Sequence, residues 1–220
     1  MFLLLPVVTV DTLASQTRSL VSSPCAQDVG LFFPTGSPGG MRELNPVCPS
    51  RLVRMNAMGP RRIGVISDTH GLLRPEALTA LRGVELIVHA GDLGAAVVLE
   101  GLRELAPVKA VRGNVDREPW ARDLPTTEAF EIDEAGVYVL HDLGGIDLVP
   151  DAARFKVVVT GHSHRPAIQE RDGVLFVNPG SAGPRRFRLP VSIALLHIRS
   201  ASVEAELVPL LPVPALSRAR

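Results

Sequence analysis

The sequence predicts an α/β protein in which two β-sheets pack face to face with helices outside, on three observations. Strand, loop and helix alternate across residues 62–111, the second half is rich in short strands and poor in helix, and metal-binding side chains stand just past successive strand ends. Alternation of the first kind implies a parallel sheet with right-handed crossovers, whose loops gather at one carboxyl edge. A single open sheet of so many short strands would leave apolar faces uncovered, so two sheets are expected.

Residues 1–58 are rich in Pro, Gly and Ser and lack a sustained period of 2 or 3.6, so they read as a disordered extension. Met55 and Met58 directly precede the first regular strand, which makes either a candidate for the biological start. Residues 1–10 are apolar but are interrupted by Pro6 and followed by Asp11, short of the ~20 apolar residues that cross a bilayer. No Lys or Arg precedes them as a secretory signal requires, so a cytoplasmic protein without a membrane partner is expected. Cys25 and Cys48 both lie in this extension and read as free thiols.

From Arg62 the texture changes. Ile63-Gly64-Val65-Ile66 is a β-branched run of the buried-strand type, Pro75 suits the first turn of a helix over residues 75–81, and residues 86–88 form a second strand. A helix is expected over residues 95–105 and a third strand over 108–111, after Pro107. Strands follow at 129–132, 137–140, 157–160, 174–177, 191–198 and 203–208, with a frayed tail at 213–220. The 220 residues suffice for one domain with its own core.

Lys and Arg together number 23, as do Asp and Glu, so no long-range field draws the chain to nucleic acid or an anionic membrane. Aromatic content of 4% also gives poor support to a nuclease that stacks bases. An anionic substrate must therefore be held locally. The residues suited to this are Asp68, His70, Asp92, Asn114, His141, His162 and His164, all placed to converge on one edge of the fold. Carboxylate oxygen with imidazole nitrogen suits manganese, iron, cobalt, nickel or zinc better than calcium or magnesium. Gly71, Gly91, Gly113 and Gly161 permit tight turns and leave clearance around such ions. His89 reads as a strand-end residue behind the ligands and His197 as structural.

The ordered blocks Ile66-Ser67-Asp68-Thr69-His70-Gly71, His89-Ala90-Gly91-Asp92, Val111-Arg112-Gly113-Asn114-Val115-Asp116, Gly161-His162-Ser163-His164-Arg165-Pro166 and Asn178-Pro179-Gly180-Ser181 make the chain similar to the calcineurin-like metallophosphoesterase superfamily. Within it the chain resembles the small phosphodiesterases of the YfcE family over residues 62–208. The resemblance implies a metallo-dependent phosphatase fold, a four-layer α-β-β-α sandwich of two mixed sheets, occupying residues 59–212. It also implies two divalent ions, manganese foremost. Asp68, His70 and His164 would hold one, Asn114, His141 and His162 the other, and Asp92 would bridge them. Asp92 and Asn114 are the residues expected to act in catalysis.

Two cations about 3.5 to 4 Å apart can share a hydroxide for in-line attack on phosphorus. The expected activity is hydrolysis of small phosphate diesters or nucleotides, and a homo-oligomer is compatible with it. The alternative is a non-catalytic interaction scaffold, because the eukaryotic retromer scaffold subunit resembles the same fold. Two departures from the family pattern bear on chemistry. Val115 stands where many members carry a His that protonates the leaving group, which favours acidic leaving groups such as aryl esters. Asp142 stands where His-Gly-His is frequent. Asp116 is read as orienting Arg112 or a loop, Asn178 to Ser181 as fixing the loop beneath the site, and Arg165, Arg185, Arg186 and Arg188 as candidates for phosphate contact.

Overall fold

The apolar runs of the first half form parallel strands because both of their faces are covered. The computed structural model describes residues 8–9, 59–151, 153–186 and 188–212, all within the unit made of residues 1–12 and 57–220. Its strands are β1 (Val8–Thr9), β2 (Arg61–Ile66), β3 (Leu86–His89), β4 (Val108–Ala110), β5 (Thr127–Ile132), β6 (Ala135–Leu140), β7 (Phe155–Val159), β8 (Ala167–Arg171), β9 (Val174–Asn178), β10 (Ser192–Arg199) and β11 (Ser202–Pro209). The helices are α1 (Pro75–Ala80) and α2 (Ala96–Arg103).

The strands make two mixed sheets, ordered β1-β11-β10-β2-β3-β4 and β5-β6-β7-β9-β8. In the first, β2, β3 and β4 run parallel and β10 pairs antiparallel with β2. In the second, β6, β7 and β9 are parallel, with β5 and β8 antiparallel at the edges. All six of these parallel strands are followed by the loops that carry the polar blocks or their supports.

Three apolar clusters hold the four layers of the sandwich together. Alternate residues of both sheets, among them Val65, Val88, Val137, Val157, Leu175 and Leu196, fill the space between them. On the outer face of the first sheet, Leu81, Val98, Leu99 and Leu102 cover Ile66, Ile87, Ile193 and Leu195. Each such fully buried Leu or Ile contributes roughly 1.5–3 kcal/mol, so the helices are fastened by one stripe and not by their caps, which make no side-chain bond.

The fourth layer, over the second sheet, is thin. Tyr138, Leu140, Val158 and Val174 are covered by Leu143, Ile146, Leu148, Phe155 and Phe176, and the connection after β6 gives only one 3-10 turn, Leu143–Gly145. Gly144, Gly145 and Pro150 oppose a longer helix there. β8 was not expected from the sequence: it is an edge strand with only Ile168 packed inward, too little for a period of 2 to register. The expected N-terminal extension lies outside the described residues except at Val8–Thr9, where the chain is a strand paired antiparallel to β11. The expected frayed tail, and Cys25 and Cys48, also lie outside them. Among the described residues no helix is long and apolar enough to cross a membrane.

Candidate metal centre

The loops after β2, β3, β4, β6 and β7 bring all of the anticipated ligands together. Asp68, His70 and His164 offer atoms within 4.8 Å of one another, as do Asp68, Asp92 and His141. Asn114 closes the remaining side: its Oδ1 lies 3.1 Å from His141 Nε2 and 3.2 Å from His162 Nδ1.

The two carboxylates are built alike. Asp68 Oδ2 accepts from Ser67 Oγ (2.7 Å) and the His162 N–H (3.1 Å), while Oδ1 faces His164 Nε2 at 3.3 Å and His70 Nε2 at 4.0 Å. Asp92 Oδ1 accepts from the Val115 N–H (3.0 Å), while Oδ2 faces His141 Nε2 at 3.5 Å and His70 Nε2 at 3.9 Å. One oxygen of each is tied down and the other is aimed into the cluster. The imidazoles are also held: His70 stacks on His164 with 5.2 Å between centroids and 14° between planes, and His141 meets His162 edge-on at 5.2 Å. His141 Nδ1 lies 2.7 Å from the Ala90 carbonyl, which can only accept, so the proton sits on Nδ1 and Nε2 is left free to ligate.

Backbone conformation presents these side chains. Asp68, His70, Asp92, His162 and His164 all have φ between 47° and 64°, a left-handed region that costs a non-glycine residue roughly 1–2 kcal/mol. The sequence carries no clear signal of this. The glycines divide into two kinds. Gly71 and Gly91 adopt positive φ, whereas Gly113 and Gly161 do not and serve clearance alone. A Cβ on Gly113 would overlap the Asp92 carboxylate, and one on Gly161 would overlap Ser67 Oγ.

Electrostatics favours a cation. Burial pushes the Asp68 carboxyl up to about 6 against the bond from Ser67. Burial, aided by Arg186 and His70, holds His164 down to about 4, and burial also lowers His70. These imidazoles are therefore neutral donors at pH 7. Burial acts against both charges of the His141–Asp92 pair, but their attraction, with the Ala90 carbonyl on one side and the Val115 N–H on the other, prevails, raising His141 and lowering Asp92. Asp68 Oδ1 is a buried acceptor without a hydrogen-bond donor, and His164 Nδ1 is likewise unpartnered. An orphaned carboxylate oxygen ringed by neutral imidazoles fits a divalent cation, which would relieve the desolvation penalty that a lone carboxylate incurs.

The supports fall largely as anticipated. His89 is fully buried, its Nε2 3.0 Å from Thr69 Oγ1 while its Nδ1 accepts from the Gly91 N–H; burial lowers it to about 3. Asp116, buried, accepts from the Leu93, Gly94 and Gly113 N–H groups and so clamps two loops to each other; of its two expected roles this is the loop one. Asn178 ties Gly161 O and Ser163 Oγ, and Ser181 Oγ donates to Asp68 O. Asp142 turns outward and accepts from the Gly144 N–H. His197 pairs with Glu206 on β10 and β11, away from the cluster. Arg186 alone of the four arginines reaches the ligands, with Nη2 3.4 Å from His70 Nε2, and it lines a cavity of about 370 Å³ with Asp92, Asn114 and Val115. Arg185 instead donates to the Pro212 carbonyl. Ser67 and Thr69, the buried residues interleaved with the ligands, were not singled out by sequence.

Comparison with known proteins gives a consistent picture. Residues 62–201 match the calcineurin-like phosphoesterase superfamily domain. The chain is 37% identical over 163 residues to a probable metallophosphoesterase of Methanothermobacter thermautotrophicus, covering 66% of this chain and 91% of the relative. It is 30% identical over 163 residues to phosphodiesterase YfcE of Escherichia coli K12, covering 63% and 89%. Among solved structures, a novel archaeal phosphodiesterase superposes with a TM-score of 0.57 at 25% identity, covering 67% of this chain and 99% of the other. Vacuolar protein sorting 29 of Cryptosporidium parvum superposes with a TM-score of 0.61 at 20% identity, covering 71% and 94%, a likeness of fold alone.

Proposed function

Since the chain belongs to the calcineurin-like phosphoesterase superfamily, we propose that it is a metal-dependent phosphodiesterase acting on small phosphate diesters or nucleotides. The observation that carries this reading is the pair of buried carboxylates, Asp68 and Asp92, each with one oxygen tied to the protein and the other turned toward imidazoles. Asp68, His70 and His164 would hold one cation, Asn114, His141 and His162 the other, with Asp92 between them. When bound, such a pair lowers the pKa of the attacking water and neutralises charge growing on the phosphoryl oxygens. Manganese is the first choice for this mixed oxygen and nitrogen set, with iron, cobalt, nickel or zinc as alternatives.

The chain's own residues orient the ester. Arg186 lies at the cavity wall beside His70, where its guanidinium can take a phosphoryl oxygen by charge-assisted bonds. Asn114 turns its carbonyl oxygen to His141 and His162, and its amide supplies a donor to the phosphoryl group that an Asp could not. Val115, exposed in the same cavity, offers no proton to the departing oxygen, so esters with acidic leaving groups should react best. What weighs against the scaffold alternative is that the seven proposed ligands lie together, in a set of oxygen and nitrogen donors suited to cations.

The test is hydrolysis of bis(p-nitrophenyl) phosphate and of p-nitrophenyl phosphate with manganese. The diester should be cleaved faster than the monoester, chelator should abolish turnover, and Asp92→Asn should lower kcat by about 100-fold or more. Activity indifferent to chelator would overturn the mechanism.

A further inference from the structure

A second cavity, of about 210 Å³, opens beside the metal centre and shares His162 and Ser163 with it as a common wall. It lies on the outer face of the second sheet, where the thin fourth layer leaves Phe176 only partly covered. The Arg171 guanidinium stands 5.3 Å from the Phe176 ring centroid. Ala167 and Gln169, on the same face of β8 as Arg171, and Asp142 complete the lining used here. None of these side chains takes part in the cluster of ligands.

We propose that this cavity receives the planar aromatic ring of one ester group of the substrate, which makes Phe176 and Arg171 specificity-determining residues. The inference rests on the phosphodiesterase reading above and adds the chemical class of the ester. With the Arg171 guanidinium laid over the phenyl ring and donating to Gln169 Oε1, the outer face of this stacked pair is a platform for another flat ring, and the Gln169 amide N–H and the Asp142 carboxylate offer hydrogen bonds to polar atoms on that ring's edge. The volume is below the ~300–1,000 Å³ of pockets that enclose drug-sized ligands, so it suits a single ring system whose remainder lies elsewhere. The shared wall supplies that elsewhere: a phosphate held at Arg186 and Asn114 places an ester substituent that crosses His162 in this cavity, whereas a methyl ester ends short of it.

The experiment measures calorimetric binding of methyl phosphate, phenyl phosphate and adenosine 5′-monophosphate to the manganese-loaded full chain. Phenyl phosphate should bind about tenfold tighter than methyl phosphate. Phe176→Ala and the cavity-filling Ala167→Phe should each remove that advantage while leaving methyl phosphate affinity unchanged. A Phe176-dependent advantage for the nucleotide as well would identify the ring as a nucleobase, and its restriction to phenyl phosphate would identify a simple aryl group; both support the proposal. Equal binding of methyl and phenyl phosphate, or an advantage that survives both substitutions, overturns it and leaves the hydrolase reading standing. Failure of all three to bind overturns both.

Discussion

Asn114 is the one proposed ligand that offers an uncharged carbonyl oxygen and an amide donor on the same group, and it faces two imidazoles with the former. Asn114→Asp should therefore keep the metal content measured by plasma emission while kcat falls by roughly 10²-fold; an unchanged kcat would remove the donor role. His141→Ala should lower the metal stoichiometry from two to one, since its Nε2 lies between Asp92 and Asn114. His89 makes a prediction about pH. Its folded value, about 3, lies below the ordinary 6.5, so between these values the unfolded chain binds the proton that the folded chain refuses, and stability falls as pH drops through 6.5. Asp68 acts in the opposite sense in the metal-free protein, because its raised carboxyl takes up a proton on folding between about 6 and 3.8. In urea titrations of the metal-free chain, His89→Gln should reduce the loss of stability between pH 7 and pH 5 by up to about 2 kcal/mol. An identical loss in the variant would show that His89 is not buried neutral.

At the scale of elements, the loops after parallel strands are what gather the proposed ligands, and Asp116 is what keeps two of those loops in register. Removing its carboxylate leaves three loop N–H groups without their acceptor. Asp116→Ala should cost about 2 kcal/mol or more in denaturant unfolding and weaken metal binding by about 10–100-fold. The strands and helices of the first half were legible because their apolar runs are bounded by turn residues: α1 begins at Pro75 and the β2 loop starts where Ile66 gives way to Ser67. β8 was not legible, since an exposed edge strand buries too little to pattern its sequence. The clustered residues proposed as ligands were legible as residue types beside glycines. Their left-handed backbone was not, because it is imposed by contacts such as His162 N–H to Asp68 and Gly183 N–H to the Asp68 carbonyl, which join distant loops.

At the largest scale, the described residues form a sandwich with unequal outer layers: helices fasten the first sheet and a short turn covers the second. Ion removal should then be felt globally, because the buried carboxylate of Asp68 loses its counterion. At metal concentrations near 100 times Kd, loading should add about 2.7 kcal/mol to unfolding stability for each ion bound, read as a rise in Tm that chelator reverses. The backbone of the five left-handed positions proposed as ligands has an evolutionary consequence. Exchange of His70, His162 or His164 for glycine would relax the local chain by roughly 1–2 kcal/mol at the moment it abolishes coordination, which offsets part of the stability that departs with the ion. A descendant released from selection for turnover could then keep its shape while losing its chemistry, and the same topology would be free for use as a platform.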